Sequence, residues 1–181
     1  MRPKSDSNKG FTLIETLVAI TVLLVAVTTA MTLSFQSIRT STTVKNKFIA
    51  SLLAQEGIEL VKNERDGNFL ESRDWLCNIA VSSGPSCSGN PCGSANGCEA
   101  TLNPANSKVS FAPCVGECGL MRINNDYFYG YLGGSETIFR RKIFVNELVD
   151  NAEAGVTVIV EWPERFSTQS ITIVGHIFNW L

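Results

Sequence analysis

Histidine occurs once in the 181 residues, as His176, and that scarcity removes the commonest catalytic arrangements. A Cys/His or Ser/His site would have to be built on this one side chain. His176 alternates with Thr172, Val174, Phe178 and Trp180 in an apolar run, the setting of a packed or edge histidine. G-x-S-x-G, the P-loop and G-x-G-x-x-G are missing too, so no catalytic residue and no cofactor are expected. Asp66, Glu71 and Asp74 could suggest a calcium cluster, but solvation of a helix end explains them as well. Charge is scarce at 18% of residues, with a formal balance of −2, which excludes a nucleic-acid binder working through bulk electrostatics. At 44% hydrophobic, the composition excludes bulk disorder.

Cysteine is absent except between Cys77 and Cys118, where six stand together: Cys77, Cys87, Cys92, Cys98, Cys114 and Cys118. Such a cluster in a Gly/Ser/Pro/Asn-rich stretch implies disulfides or a metal knot, and the redox compartment decides between them. No C-x2-C pair is present and His176 is remote, which argues against zinc.

The longest absence is of charge. From Phe11 to Phe35 the chain reads FTLIETLVAITVLLVAVTTAMTLSF, with Glu15 its single charged residue. A hydrocarbon core takes roughly 20 apolar residues in helical form, so this run can span it. Residues 1–10 are basic, with Arg2, Lys4 and Lys9 against Asp6, while the remainder carries 12 basic and 16 acidic side chains. A cleaved signal peptide also begins with a basic stretch, but its apolar region is shorter and holds no carboxylate. Nor does the helical pattern stop with the apolar run. Val44, Phe48, Leu52 and Ile49, Leu53, Leu60 recur at helical spacing, with no proline between Phe11 and Arg65. A continuous helix over 11–65 would be about 80 Å long. Asp66-Gly67-Asn68 reads as its stop, with Lys62 and Arg65 in the last turn, and Gly57 as a soft point inside it.

Residues 66–120 read as loops and short strands. Beyond Met121 come an aromatic strand at Tyr127–Tyr131, its rings in the sheet core, then FRRKIFVNELV, VTVIVEW and SITIVGHIFNWL. These four predict an antiparallel meander with Val156, Val158, Val160 and Trp162 on one face, covered by the amphipathic part of the helix.

The segment Lys9-Gly10-Phe11-Thr12-Leu13-Ile14-Glu15 resembles the type IV prepilin cleavage and N-methylation motif, closely over Gly10 to Glu15. The strands ending in Asn179-Trp180 are similar to the minor-pilin V-type group. The resemblance implies an α+β pilin-like fold: a leader over 1–10, a long helix over 11–65 whose 11–35 part is transmembrane, and an extracytoplasmic head over 66–181 with about four strands and a cysteine-rich segment over 77–118. It implies cleavage after Gly10, where no side chain hinders a membrane-plane protease, and N-methylation of the new terminus at Phe11. Glu15 would then attract that amine on a neighbouring subunit and set the register of assembly. A carboxylate inside a bilayer costs roughly 2.5–3.5 kcal/mol, less near a helix end, so such a residue usually finds a partner.

The implied partners are other pilin subunits, a prepilin peptidase and an inner-membrane assembly platform. The implied location is the cytoplasmic membrane, with the head outside, and then a surface or periplasmic filament. A head outside the cytoplasm turns the cysteines into three disulfides. Fifteen pairings are open, with Cys114–Cys118 and Cys87–Cys92 the short-range options. The expected function is a structural, minor subunit of a type IV pilus or type II secretion-like pseudopilus. The alternative is a single-pass anchored adhesin that never enters a filament.

Overall fold

The computed structural model describes residues 10, 12–80, 87, 89–103, 106–165 and 167–179. One helix, α1 (Leu13–Leu70), precedes eight strands: β1 (Cys98–Asn103), β2 (Lys108–Pro113), β3 (Arg122–Ile123), β4 (Tyr129–Gly130), β5 (Ser135–Glu136), β6 (Arg140–Val149), β7 (Glu153–Glu164) and β8 (Ser167–Phe178). The chain divides into two compact units, Met1–Val44 and Lys45–Leu181. The fold is α+β: the long N-terminal helix packs on an antiparallel sheet in a head that carries three disulfides.

The first unit is helix from Leu13 onward. An 18-residue window of α1 near the N-terminus reaches a mean hydropathy of 2.2 with none of its residues buried. By length and composition this helix can cross a membrane. Its hydroxyl side chains fit that role. Thr16, Thr21, Thr28, Thr29, Thr32, Ser34, Thr40 and Thr42 each donate to a backbone carbonyl three or four residues back. Each polar group is thereby satisfied within its own helix, and none needs water.

The second unit holds the core. Ala50, Leu53, Ala54, Gly57, Ile58, Leu60 and Val61 form the buried stripe of α1. They lie on a five-stranded sheet of order β2-β1-β6-β7-β8, in which every pairing is antiparallel. Alternation in β7 places Val156, Val158, Val160 and Trp162 in the core, as the two-residue period predicts. At Gly57 the helix lies tight on the sheet: a Cβ there would lie 2.9 Å from Val158 Cγ1. The glycine expected as a soft point is instead required by packing.

Three further expectations are corrected. The helix does not stop at Asp66-Gly67-Asn68 but runs to Leu70, because Asn68 is buried and its Nδ2 donates to the carbonyls of Trp75 and Cys77. The actual stop is a Schellman turn. Ser72 takes φ 55°, its N–H donates to Phe69 O at 3.0 Å, and Arg73 N–H donates to Asn68 O at 2.9 Å. The sheet has five strands rather than about four, since the cysteine-rich segment contributes the β1–β2 hairpin. The aromatic stretch 127–131 is not a strand of that sheet. Only Tyr129–Gly130 is extended, in a small sheet of order β4-β3-β5, while Tyr127 and Phe128 are exposed. Asn124 Oδ1 accepts from the N–H groups of Asp126 and Phe128, and Tyr127 sits at φ 64°, so a tight turn replaces the expected strand.

Candidate functional site

The N-terminal end of α1 carries the residues with the strongest functional signal. Gly10 is exposed, with open space where a side chain would be. Thr12 begins the helix as its cap: Glu15 N–H approaches Thr12 Oγ1 at 3.4 Å and Thr12 O at 3.1 Å, and Thr16 N–H donates to Thr12 O at 3.2 Å. Threonine at the cap with glutamate three residues on is the capping-box spacing, a signal the motif reading passed over. Glu15 therefore sits in the first turn, exposed, where the positive end of the helix dipole favours a carboxylate. Phe11, the expected methylated terminus, and residues 1–9 of the expected leader lie outside the described residues, as does Trp180.

The six candidate cysteines form three disulfides, Cys77–Cys87, Cys92–Cys98 and Cys114–Cys118, with Cα–Cα separations of 5.1, 4.6 and 4.7 Å. The short Cys114–Cys118 link is present, whereas Cys87 does not join Cys92. The reason lies in β1. Cys98 opens that strand opposite Ile143, while Cys92 N–H donates to Ile79 O and Cys92 O accepts from Val145 N–H. Cys92 is thus held against β6 beside Cys98. Glu99, Cys114 and Cys118 form a cluster with metal-ligand elements, but both sulfurs are consumed in the disulfide.

The remaining polar residues serve structure. Arg141 is 1% exposed and ties three elements together. It donates to Leu53 O of α1 at 3.1 Å, to Glu56 Oε2 at 3.0 Å and to Ala100 O of β1 at 3.1 Å. Tyr131 donates to Arg141 O, and burial pushes the Tyr131 phenol up to about 12, opposed by the nearby Arg141 guanidinium. Burial also raises Glu64, with Arg73 acting against the shift. His176 stands on the edge strand β8, half exposed, with Nδ1 2.7 Å from Glu153 Oε1. Asp66 pairs with Arg65, Glu71 with Arg73 and Lys108, and Asp74 accepts from Leu76 N–H, so these three carboxylates do not converge on one point.

The family described as the prokaryotic N-terminal methylation motif matches residues 6–31, the stretch that holds Gly10, Thr12 and Glu15 and enters the apolar helix. Motif and helix together fit a type IV prepilin-like protein. Neither a curated protein nor a solved structure matches the chain. The motif family is structural rather than enzymatic, and the motif with its apolar helix suggests anchoring in a membrane and the processing and assembly partners general to that family.

Proposed function

We propose that this prepilin-like chain is a structural, minor subunit of a type IV pilus or type II secretion-like pseudopilus. It is cut after Gly10, methylated on Phe11, and assembled through its apolar helix with the disulfide-braced head outside the membrane. One observation carries the reading: a methylation motif opens a helix whose apolar span has no buried residue and whose hydroxyls are all turned back on their own backbone. Such a surface needs lipid or sister helices, and a filament offers the second after the membrane has offered the first. The open space where a Gly10 side chain would stand leaves room for the prepilin peptidase. Glu15 in the first turn is the group that meets the amine of a neighbouring subunit, offsetting the cost of burying either charge alone. The chain acts as a building block, without a catalytic centre.

Intact-mass and N-terminal analysis after co-expression with a prepilin peptidase tests the processing. The expected product begins at methylated Phe11; an uncut Met1, or a cut near Ala30, would sink the reading. Glu15→Ala then separates subunit from anchor: assembly into filaments is lost while membrane insertion is kept or improved. An anchored adhesin would keep its function in that variant.

A further inference from the structure

The two edges of the five-stranded sheet are built differently. β2 is six residues long, opens with Lys108 and closes with Pro113, two ordinary ways of discouraging a further strand. β8 has neither protection. Its twelve residues contain no Lys, Arg, Asp, Glu or Pro, and they pair with β7 over the whole length without a bulge. Ile171, Ile173 and Gly175 are partly buried on the side facing α1, while Ser170, Thr172, Val174 and His176 are exposed on the other. Among the described residues no strand pairs with the outer edge of β8.

Beside this edge runs a groove of about 400 Å³, lined by Gln55, Ile58, Glu59, Lys62, Gly175 and His176. It occupies the space between α1 and the position of a sixth strand. Gly175 keeps it open, since a Cβ there would meet Ile58 Cδ1 at 3.3 Å. Glu59 and Lys62 pair with each other at 2.9 Å, so the groove presents no net charge.

We propose that β8 accepts an extended strand from another polypeptide, extending the sheet by β-augmentation. A row of backbone donors and acceptors at strand spacing is complementary only to another extended backbone. The charge-free edge and charge-balanced groove select a partner strand with uncharged, alternating apolar and polar side chains, its apolar side turned toward Ile58. A second copy is the poorer occupant. Its β2 is blocked by Lys108 and Pro113, and its β8 would pair about a two-fold axis, which a screw-repeating filament lacks. That exclusion of a copy's β8 rests on the filament reading; the open edge does not.

The test uses the full-length chain in detergent and a capped peptide of residues 154–160, the uncharged stretch of β7 that β8 already pairs with on its inner side. Peptide binding should slow hydrogen exchange at alternate amides of residues 170–176 by at least tenfold. The same peptide N-methylated at every backbone amide, so that neither of its edges can donate, should not bind, a control that leaves the protein unaltered. T172K/V174K, both on the exposed side, should weaken binding at least tenfold with the fold intact. Unchanged exchange in β8, or equal binding of the N-methylated peptide, would overturn the proposal even if Phe11 proves methylated. Protection of β8 that grows with protein concentration in the absence of peptide would reassign the edge to a second copy.

Discussion

Two stretches of one helix solve the same problem in opposite ways. Over residues 13–42 nothing of α1 is buried, and eight of its hydroxyl side chains donate to the turn below them. Over residues 50–68 the helix buries one stripe, and its polar partners lie far away in sequence: Arg141 on Leu53 O, Asn68 on Cys77 O. The first stretch carries its structure with it into any apolar surrounding. The second is a helix with a defined seat because β1, β6 and β7 hold it. Under the proposed subunit role, a helix passing from a membrane into a bundle would use the first kind of independence, and a head keeping its shape meanwhile the second.

The largest break in this contrast should come from reducing the disulfides. Closed loops of sequence separation 10, 6 and 4 are, on a chain-entropy estimate, together worth about 7 kcal/mol. That is comparable to the whole stability of an ordinary domain. Full reduction in detergent should abolish the near-UV signal of the buried Trp75 and Trp162 while a large far-UV helical signal persists from the first stretch. A native near-UV spectrum with all six thiols titrated would show that the sheet holds itself.

Arg141→Met comes next, at about 3 kcal/mol destabilising in a urea titration. The estimate takes the low end for a broken ion pair, because Glu56 is 39% exposed and can rehydrate. A loss under 1 kcal/mol would mean that the carbonyls of Leu53 and Ala100 need no tie across the layers. Gly57→Ala sharpens the comparison further. In a free helix the change stabilises by about 1 kcal/mol. Here the new methyl meets Val158 Cγ1 and Arg141 Cδ, both fixed in the core, and about 2 kcal/mol should be lost. Val158→Ala should recover part of that loss if the clash is the cause.

Much of this molecule was legible from residue order. The apolar run, the methylation motif and the alternation in β7 each rest on a local pattern, and each stands where expected. What was not legible depends on distant partners. Cys92 pairs with Cys98 because β6 holds both, and no spacing rule contains β6. Tyr127 and Phe128 carry strand propensity, but Asn124 hydrogen-bonds the backbone into a turn before propensity can act. Arg141 falls on the buried side of β6 with Ile143 and Val145, and the carbonyls of α1 and β1 that satisfy its charge there belong to distant segments. Asp66-Gly67-Asn68 has the composition of a stop, yet the buried amide of Asn68 carries the helix on by half a turn.

That displaced stop supplies the smallest and cleanest prediction. Ser72 holds the left-handed position of the Schellman turn, at φ 55°, where glycine is the usual occupant. Its side chain is exposed, so replacement removes no packing. A non-glycine residue pays about 1–2 kcal/mol for this conformation. Glycine gives part of that back through the entropy of the unfolded chain. Ser72→Gly should therefore stabilise the head by about 0.5–1 kcal/mol, seen as a higher urea midpoint at unchanged slope. Ser72→Val should lose more than Gly gains, since a β-branched side chain tolerates the left-handed region worst. If the two variants differ by less than 0.5 kcal/mol, the helix end is being set by Asn68 and its contacts to residues 75 and 77 rather than by the turn. The exit of the chain from α1 into the loops of the head would then be tertiary throughout.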